Sequence, residues 1–308
     1  MRTIGRAGGR PAAVVALALA LLVPATGAAG AGGSRRSVVA SFYPLAYAAQ
    51  RIGGDRVEVT DLTPAGAEPH DLELSPDQID EVLDATAVIV MGRGFQPAVE
   101  DTAGQRDGAT LEVLPKVVDA GNRKVAEEGG AGGLDPHVWL DPSLMAKVAG
   151  AVSRTLVAGD PAGASQYRRN LRRLRRELAA LDARYRQRLT GCERDLLVTS
   201  HEAFGYLARR YGLRQEGVAG ISPDAEPDAQ RLGDLADLAR REGVTTVFTE
   251  AAVSPRIADT LAREAGGLRT DVLSPLETLT PRQKEAGADY FTVMDDNLEK
   301  IARALGCP

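Results

Sequence analysis

The chain has little sulfur, few imidazoles and few aromatic rings. Across 308 residues there are two cysteines, three histidines and one tryptophan, and Phe, Trp and Tyr together make up 4%. The core must therefore be built mainly from Leu, Val and Ala. No CxxC pair occurs, which removes a cysteine-based metal site. No HExxH, GxSxG or P-loop is present, and no GxGxxG occurs beyond the N-terminal segment, so a zincin-type protease, a serine hydrolase and a phosphate-cradling loop lose their sequence support. A basic excess is also missing: net charge is −5 and the pI about 5.4. Nucleic acid is thus not an expected partner.

What is present begins at the N-terminus. Arg2, Arg6 and Arg10 precede the apolar run AAVVALALALLVPA, and the small residues TGAAGAGGS follow. That order is the one found in secretory signal peptides. The run is short for a membrane span, which needs roughly 20 residues. Residues 1–31 are therefore expected to be a signal peptide, with an uncleaved anchor as the alternative. No cysteine follows the run to carry a lipid, so a periplasmic or secreted protein is expected. In an exported chain, Cys192 and Cys307 are expected to form one disulfide tying the start of the second half to the C-terminus, the alternative being two free thiols.

Beyond the signal, β-rich runs alternate with helical patterns. Strands are predicted at 37–41, 57–62, 87–92, 110–114, 195–200, 215–221, 245–249 and 268–273. Helices are predicted at 45–54, 75–85, 203–211, 227–241, 255–265 and 290–305, with Ser75 as an N-cap and Pro76 at the first helical position. The alternation implies an α/β fold of two lobes with mainly parallel sheets. Between them, Tyr167, Leu171, Leu174, Leu178, Leu181, Tyr185 and Leu189 recur at helical spacing. Asp160–Pro161 and Gly191 bracket a helix over 161–190, about 45 Å long. Its opposite face, RRNLRRLRREL, is strongly basic and reads as a solvated surface, with a nucleic-acid or membrane role as the alternative. The expected division is 32–160 for the first lobe, 161–190 for the connecting helix and 191–308 for the second lobe. Residues 119–134 are rich in glycine and charge and read as a mobile loop.

The three histidines fall in three separate segments. His70 lies in AEPHDLEL after the strand at 57–62, His137 in DPHVWLDP after the mobile loop, and His201 in VTSHEAF directly after the strand at 195–200. Residues just past strand carboxyl ends line the ligand crevice in open α/β sheets. Glu68, Asp71, Asp135, Asp141 and Glu202 lie beside these histidines and could orient an imidazole. Asp141 could instead cap a helix starting at Pro142. Three imidazoles suit zinc, copper, iron or nickel.

The motifs AEPHDLELSPDQIDEVLDATAVIVMG, DPHVWLDP and VTSHEAFGYLARRYGL, in this order, resemble the zinc/manganese solute-binding proteins of bacterial ABC transporters. The resemblance extends from VVASFYPLA to the final helix. It implies two α/β lobes of parallel four-stranded sheets joined by a rigid helix, with a metal held in the interlobe cleft and passed to a membrane permease. It also implies His70, His137 and His201 as metal ligands. Histidine at the third position favours Zn(II) over manganese.

Two features depart from that pattern. The family's usual fourth ligand is an aspartate in a turn that here reads LSPLE, so Ser274 stands in its place. Water, Glu277, Asp271 and Glu250 remain open as the fourth ligand. The loop before DPHVWLDP also lacks the histidine-rich tract seen in many zinc-binding members. The leading expectation is a monomeric, non-catalytic zinc receptor for an ABC permease. A manganese or iron receptor of the same fold is the first alternative. A three-histidine zinc hydratase or hydrolase, with water completing the metal, is the second.

Overall fold

Eight short runs, all but one containing Val, Leu, Ile or Thr, form eight strands, four before and four after one long helix in sequence. Strands β1 (Arg36–Ala40), β2 (Val57–Asp61), β3 (Ala87–Val90) and β4 (Ala109–Glu112) make a parallel sheet in the order β2-β1-β3-β4. Strands β5 (Leu196–Thr199), β6 (Arg214–Gly217), β7 (Thr246–Thr249) and β8 (Arg269–Val272) repeat the pattern as β6-β5-β7-β8. Every residue of β3, β5 and β7 is buried, which is why they read as continuous apolar runs and not as alternating ones. In each sheet the winding reverses between the two central strands, β1 and β3 or β5 and β7. Their carboxyl ends open the crevice where ligands bind in such folds.

The computed structural model describes residues 35–118, 134–221, 229–251 and 256–308, with residues 1–3, 5, 8 and 9. Most of the expected signal peptide, nearly all of the expected loop at 119–134, and the first residues expected for the helices at 227–241 and 255–265 lie outside them. Chain contacts group Arg35–Pro308 as one unit and Met1–Ser34 as another. Among the described residues no helix is long and apolar enough to cross a membrane.

Helix boundaries follow local chemistry. The helix Pro76–Asp84 starts where expected: Ser75 Oγ accepts from Gln78 N at 3.3 Å, and the Gln78 side chain accepts from Ser75 N at 3.0 Å. Asp141 does cap a helix, Pro142–Gly159, accepting from Ser143 N at 2.7 Å. The long helix is Ala164–Arg188, 25 residues and about 37 Å, shorter than the span predicted for 161–190. Pro161–Gly163 tighten into a 3-10 turn instead, where the Asp160 carboxylate accepts from Arg56 Nε at 2.8 Å and from Tyr167 OH at 2.7 Å.

The long helix is common to both lobes. It buries Tyr167, Leu174, Leu178, Leu181 and Tyr185 in an apolar cluster that runs from Val38 to Leu305. Toward its start, Asn170 Nδ2 donates to Ile52 O at 2.9 Å and Glu177 pairs with Arg51. Toward its end, Tyr185 OH donates to Met294 O at 2.6 Å and Arg184 pairs with Asp295 at 2.8 Å. Cys192 and Cys307 are bonded, fixing the end of the terminal helix Tyr290–Leu305 to the start of the second lobe. That link closes 115 residues of chain. Replacing both cysteines by serine should lower the unfolding free energy by about 2–5 kcal/mol in urea titrations, and an unchanged midpoint would show that the link contributes nothing. Leu178→Ala should cost a similar amount, about 2–5 kcal/mol, by opening a cavity under the long helix.

Candidate metal centre

Each sheet delivers its groups from the loops past its strand ends. His70 follows β2, His201 follows β5, Glu250 follows β7 and Glu277 follows β8; His137 immediately precedes a 3-10 turn at Val138–Leu140. Backbone placement therefore brings five distant segments to one point between the lobes. His137 and His201 are fully buried, Glu277 is 3% exposed and the His70 side chain 11%.

One atom from each of His70, His137, His201 and Glu277 lies within 4.8 Å of the others. Glu277 Oε1 is 3.1 Å from His137 Nε2, 3.5 Å from His70 Nε2 and 3.6 Å from His201 Nε2. The Nε2 atoms of His137 and His201 are 3.4 Å apart. Zinc bonds of about 2.0–2.1 Å in a tetrahedron place ligand atoms about 3.3 Å from one another. The spacing thus fits a four-coordinate cation of that size. His70 Nε2 is buried and lacks a hydrogen-bond partner, as a nitrogen reserved for a metal would be.

Two carboxylates behind the imidazoles set their orientation. His137 Nδ1 is 2.7 Å from Asp135 Oδ1, and His201 Nδ1 is 2.5 Å from Glu250 Oε1. A carboxylate holds the proton on Nδ1, so the Nε2 lone pair faces the centre, the tautomer a cation needs. The Ser200 hydroxyl also donates to Glu250, and the His201 carbonyl accepts from Thr199 Oγ1 at 2.7 Å and Gln215 Nε2 at 3.0 Å. Among the described residues no carboxylate plays that orienting part for His70: Glu68 Oε1 lies 4.0 Å from Nε2 and instead accepts from the His70 backbone N at 3.2 Å. Phe95 packs edge-on against His70 at 4.5 Å, and Trp139 lies 5.1 Å from the His137 ring, so both form an apolar wall.

The segment around Ser274 explains which carboxylate arrives. Ser274 Oγ accepts from Leu276 N at 3.1 Å, so this hydroxyl closes a turn. Asn297 grips the same residue, accepting from Ser274 N at 3.0 Å and donating to Ser274 O at 2.7 Å. Trp139 Nε1 donates to Pro275 O at 2.7 Å. Leu276 is fully buried with φ of 57°, a left-handed backbone that a leucine adopts only when its surroundings impose it. The reversal turns Glu277 into the cleft. Of the other candidates for the fourth position, Glu250 backs His201, and Asp271 sits on β8 accepting from Val272 N at 2.8 Å. Nothing in the sequence signals the left-handed turn.

Charge in this cluster is balanced internally. Burial opposes a charged imidazole at His137, yet hydrogen bonds to Asp135 and Glu277 outweigh it and raise its pKa above 6.5. At His201 burial likewise opposes the charge, and Glu250 with Glu277 lifts the pKa well above 6.5. Burial alone would raise Glu277, but three imidazoles hold it well below the usual carboxylate range. Glu68, raised to about 8 by burial and by the Glu277 charge, is mostly neutral near pH 7. In the absence of a cation, protons on the imidazoles thus compensate the carboxylates.

Comparison with known proteins agrees with this geometry. The zinc-binding lipoprotein AdcA of Streptococcus pneumoniae is 33% identical over 275 residues, covering 86% of this chain and 55% of AdcA. The chain therefore spans about half the length of that relative. The high-affinity zinc uptake system protein ZnuA of Bacillus subtilis is 34% identical over 290 residues, covering 91% of this chain and 90% of its own. The Zn(II)-bound ZnuA-like domain of the pneumococcal AdcA superimposes with a TM-score of 0.74 at 31% identity, over 88% of this chain and 99% of that domain. Residues 38–304 match the family described as zinc-uptake complex component A, periplasmic, and the chain belongs to that family.

Proposed function

We propose that this chain is an extracytoplasmic receptor that captures Zn(II) through His70, His137, His201 and Glu277 and hands it to an ABC-type importer. The observation that carries the reading is the convergence of three imidazole Nε2 atoms and one carboxylate oxygen at spacings suited to tetrahedral zinc. Three nitrogens and one oxygen favour zinc over manganese, which prefers octahedral oxygen-rich sites. The same reading takes residues 1–31 as the export signal, 32–160 and 191–308 as the two lobes, and 161–190 as the segment linking them. It has the protein act as a monomer, with the membrane permease as partner and no nucleic acid.

A catalytic zinc would keep one position open for water. Here Glu277 stands at that fourth vertex, buried and within 3.6 Å of each imidazole Nε2. This favours a closed binding site over a hydratase or hydrolase. Glu277 acts as ligand, while Asp135 and Glu250 hold His137 and His201 in register.

Dye-competition titration should show Glu277→Gln weakening zinc by more than about 100-fold, and Glu250→Gln by about 10–100-fold, as for loss of an orienting partner. Asp271→Asn should leave affinity within about twofold, since its carboxylate accepts from Val272 N and pairs with Arg303 at 3.9 Å, outside the four-residue cluster. The reverse ranking would reassign the fourth ligand. Protons compete with the metal for His137 and His201, whose metal-free pKa values are raised. Affinity should therefore fall with decreasing pH, starting above pH 6.5 and steepening below it. A flat profile between about pH 8 and 5.5 would exclude imidazole ligation.

A further inference from the structure

The arginine-rich face of the long helix has no role in the metal site, and the structure leaves its charge unanswered. Arg168, Arg169, Arg172, Arg175 and Arg176 are all exposed, and none has a hydrogen bond or ion pair among the described residues. The neighbouring helix Pro142–Gly159 adds the exposed Arg154 and contains no Asp or Glu. From Pro142 to Arg176 there are eight cationic residues and a single acid, Asp160. That acid is buried and already engaged by Arg56 and Tyr167. The next acid, Glu177, is taken by Arg51 and Arg173. All this occurs in a chain whose net charge is −5.

The two helices bring their charges together. An added Cβ on Gly150 would lie 2.6 Å from Arg175 Nη2 and 3.7 Å from Arg154 Nη1. A glycine at this point therefore lets the Arg175 guanidinium lie across the neighbouring helix beside a second guanidinium. Like charges placed so close, with no carboxylate between them, disfavour the isolated fold and favour an anionic counterpart. The face also lacks what a protein partner usually needs. None of the exposed large apolar residues, Ile79, Leu83, Ile257 and Val272 among the folded positions, lies on either helix, so no apolar anchor is available.

We infer that this two-helix basic face docks the protein reversibly on an anionic phospholipid surface. Two adjacent helices present a broad charged surface to phosphate headgroups, and each cation near such a surface strengthens binding about fivefold. The site is independent of the metal centre and does not require the zinc reading to hold.

Co-sedimentation of the full chain with phosphatidylcholine vesicles, with and without phosphatidylglycerol, tests it. Arg2, Arg6 and Arg10 of the N-terminal segment also favour the anionic vesicles, so the comparison with the glutamine variant, which leaves that segment intact, isolates the basic face. Binding should be stronger on the anionic vesicles and should fall steeply with salt. The variant R172Q/R175Q/R176Q should lose at least about tenfold of the anionic-vesicle affinity, with thermal midpoint and zinc affinity maintained. The variant R172K/R175K/R176K should keep most of it, because a headgroup surface reads charge. Equal binding to both vesicle types, or no loss in the glutamine variant, would overturn the inference. So would a lysine variant as weak as the glutamine one, which would indicate shaped guanidinium recognition by a protein.

Discussion

The cleft is organised around groups that have every reason to move apart. Three imidazole nitrogens with lone pairs facing one another, and a buried carboxylate among them, are mutually unfavourable until a proton or a cation lies between them. The surrounding fold supplies the restraint. Asp135 and Glu250 grip two of the rings from behind, and Asn297, Trp139 and a left-handed Leu276 force Glu277 inward. Of the three, only His70 has no carboxylate holding its ring from behind among the described residues, and it is the most exposed.

The restraint is shared between the lobes. Residues 135–141 follow the first sheet in sequence, yet the second lobe holds them. Tyr206 OH donates to Asp135 O at 3.1 Å, Tyr290 OH donates to Trp139 O at 2.6 Å, and Arg210 pairs with Asp141 at 3.5 Å. Arg210 also reaches Asp182 on the long helix at 2.9 Å. The motif that carries His137 therefore acts as a strap from one lobe across to the other, fastened where the connecting helix passes.

Much of this was legible in the residues, for identifiable reasons. Seven of the eight strands lie within about two residues of their expected ends, and the central ones are clearest because strands buried on both faces leave uninterrupted apolar runs; the strand expected at 215–221 ends instead at Gly217, since its residues RQEG carry no such run. The long helix could be read because one side is apolar at helical spacing and the other strongly charged. The helix Pro142–Gly159 was announced only by Asp141 and Pro142: ten of its residues are buried, and Lys147 and Arg154 are its only charged residues. The three histidines could be found because each stands near a recognisable motif or strand end. The choice of Glu277 over Glu250 or Asp271 could not, since it depends on Leu276 φ and on Asn297 and Trp139, which are close only in the folded chain. Ser274 shows the limit well: a neutral residue where a carboxylate was expected says nothing about the turn its hydroxyl closes three positions before Glu277.

The single tryptophan has a consequence of a different kind. Trp139 is fully buried, 5.1 Å from the His137 ring, with its indole nitrogen bonded to the loop that presents Glu277. All intrinsic indole emission from this protein consequently originates at one spot, in contact with both halves of the cleft. Evolution has left the molecule with a built-in optical gauge whose only pointer rests on the site itself.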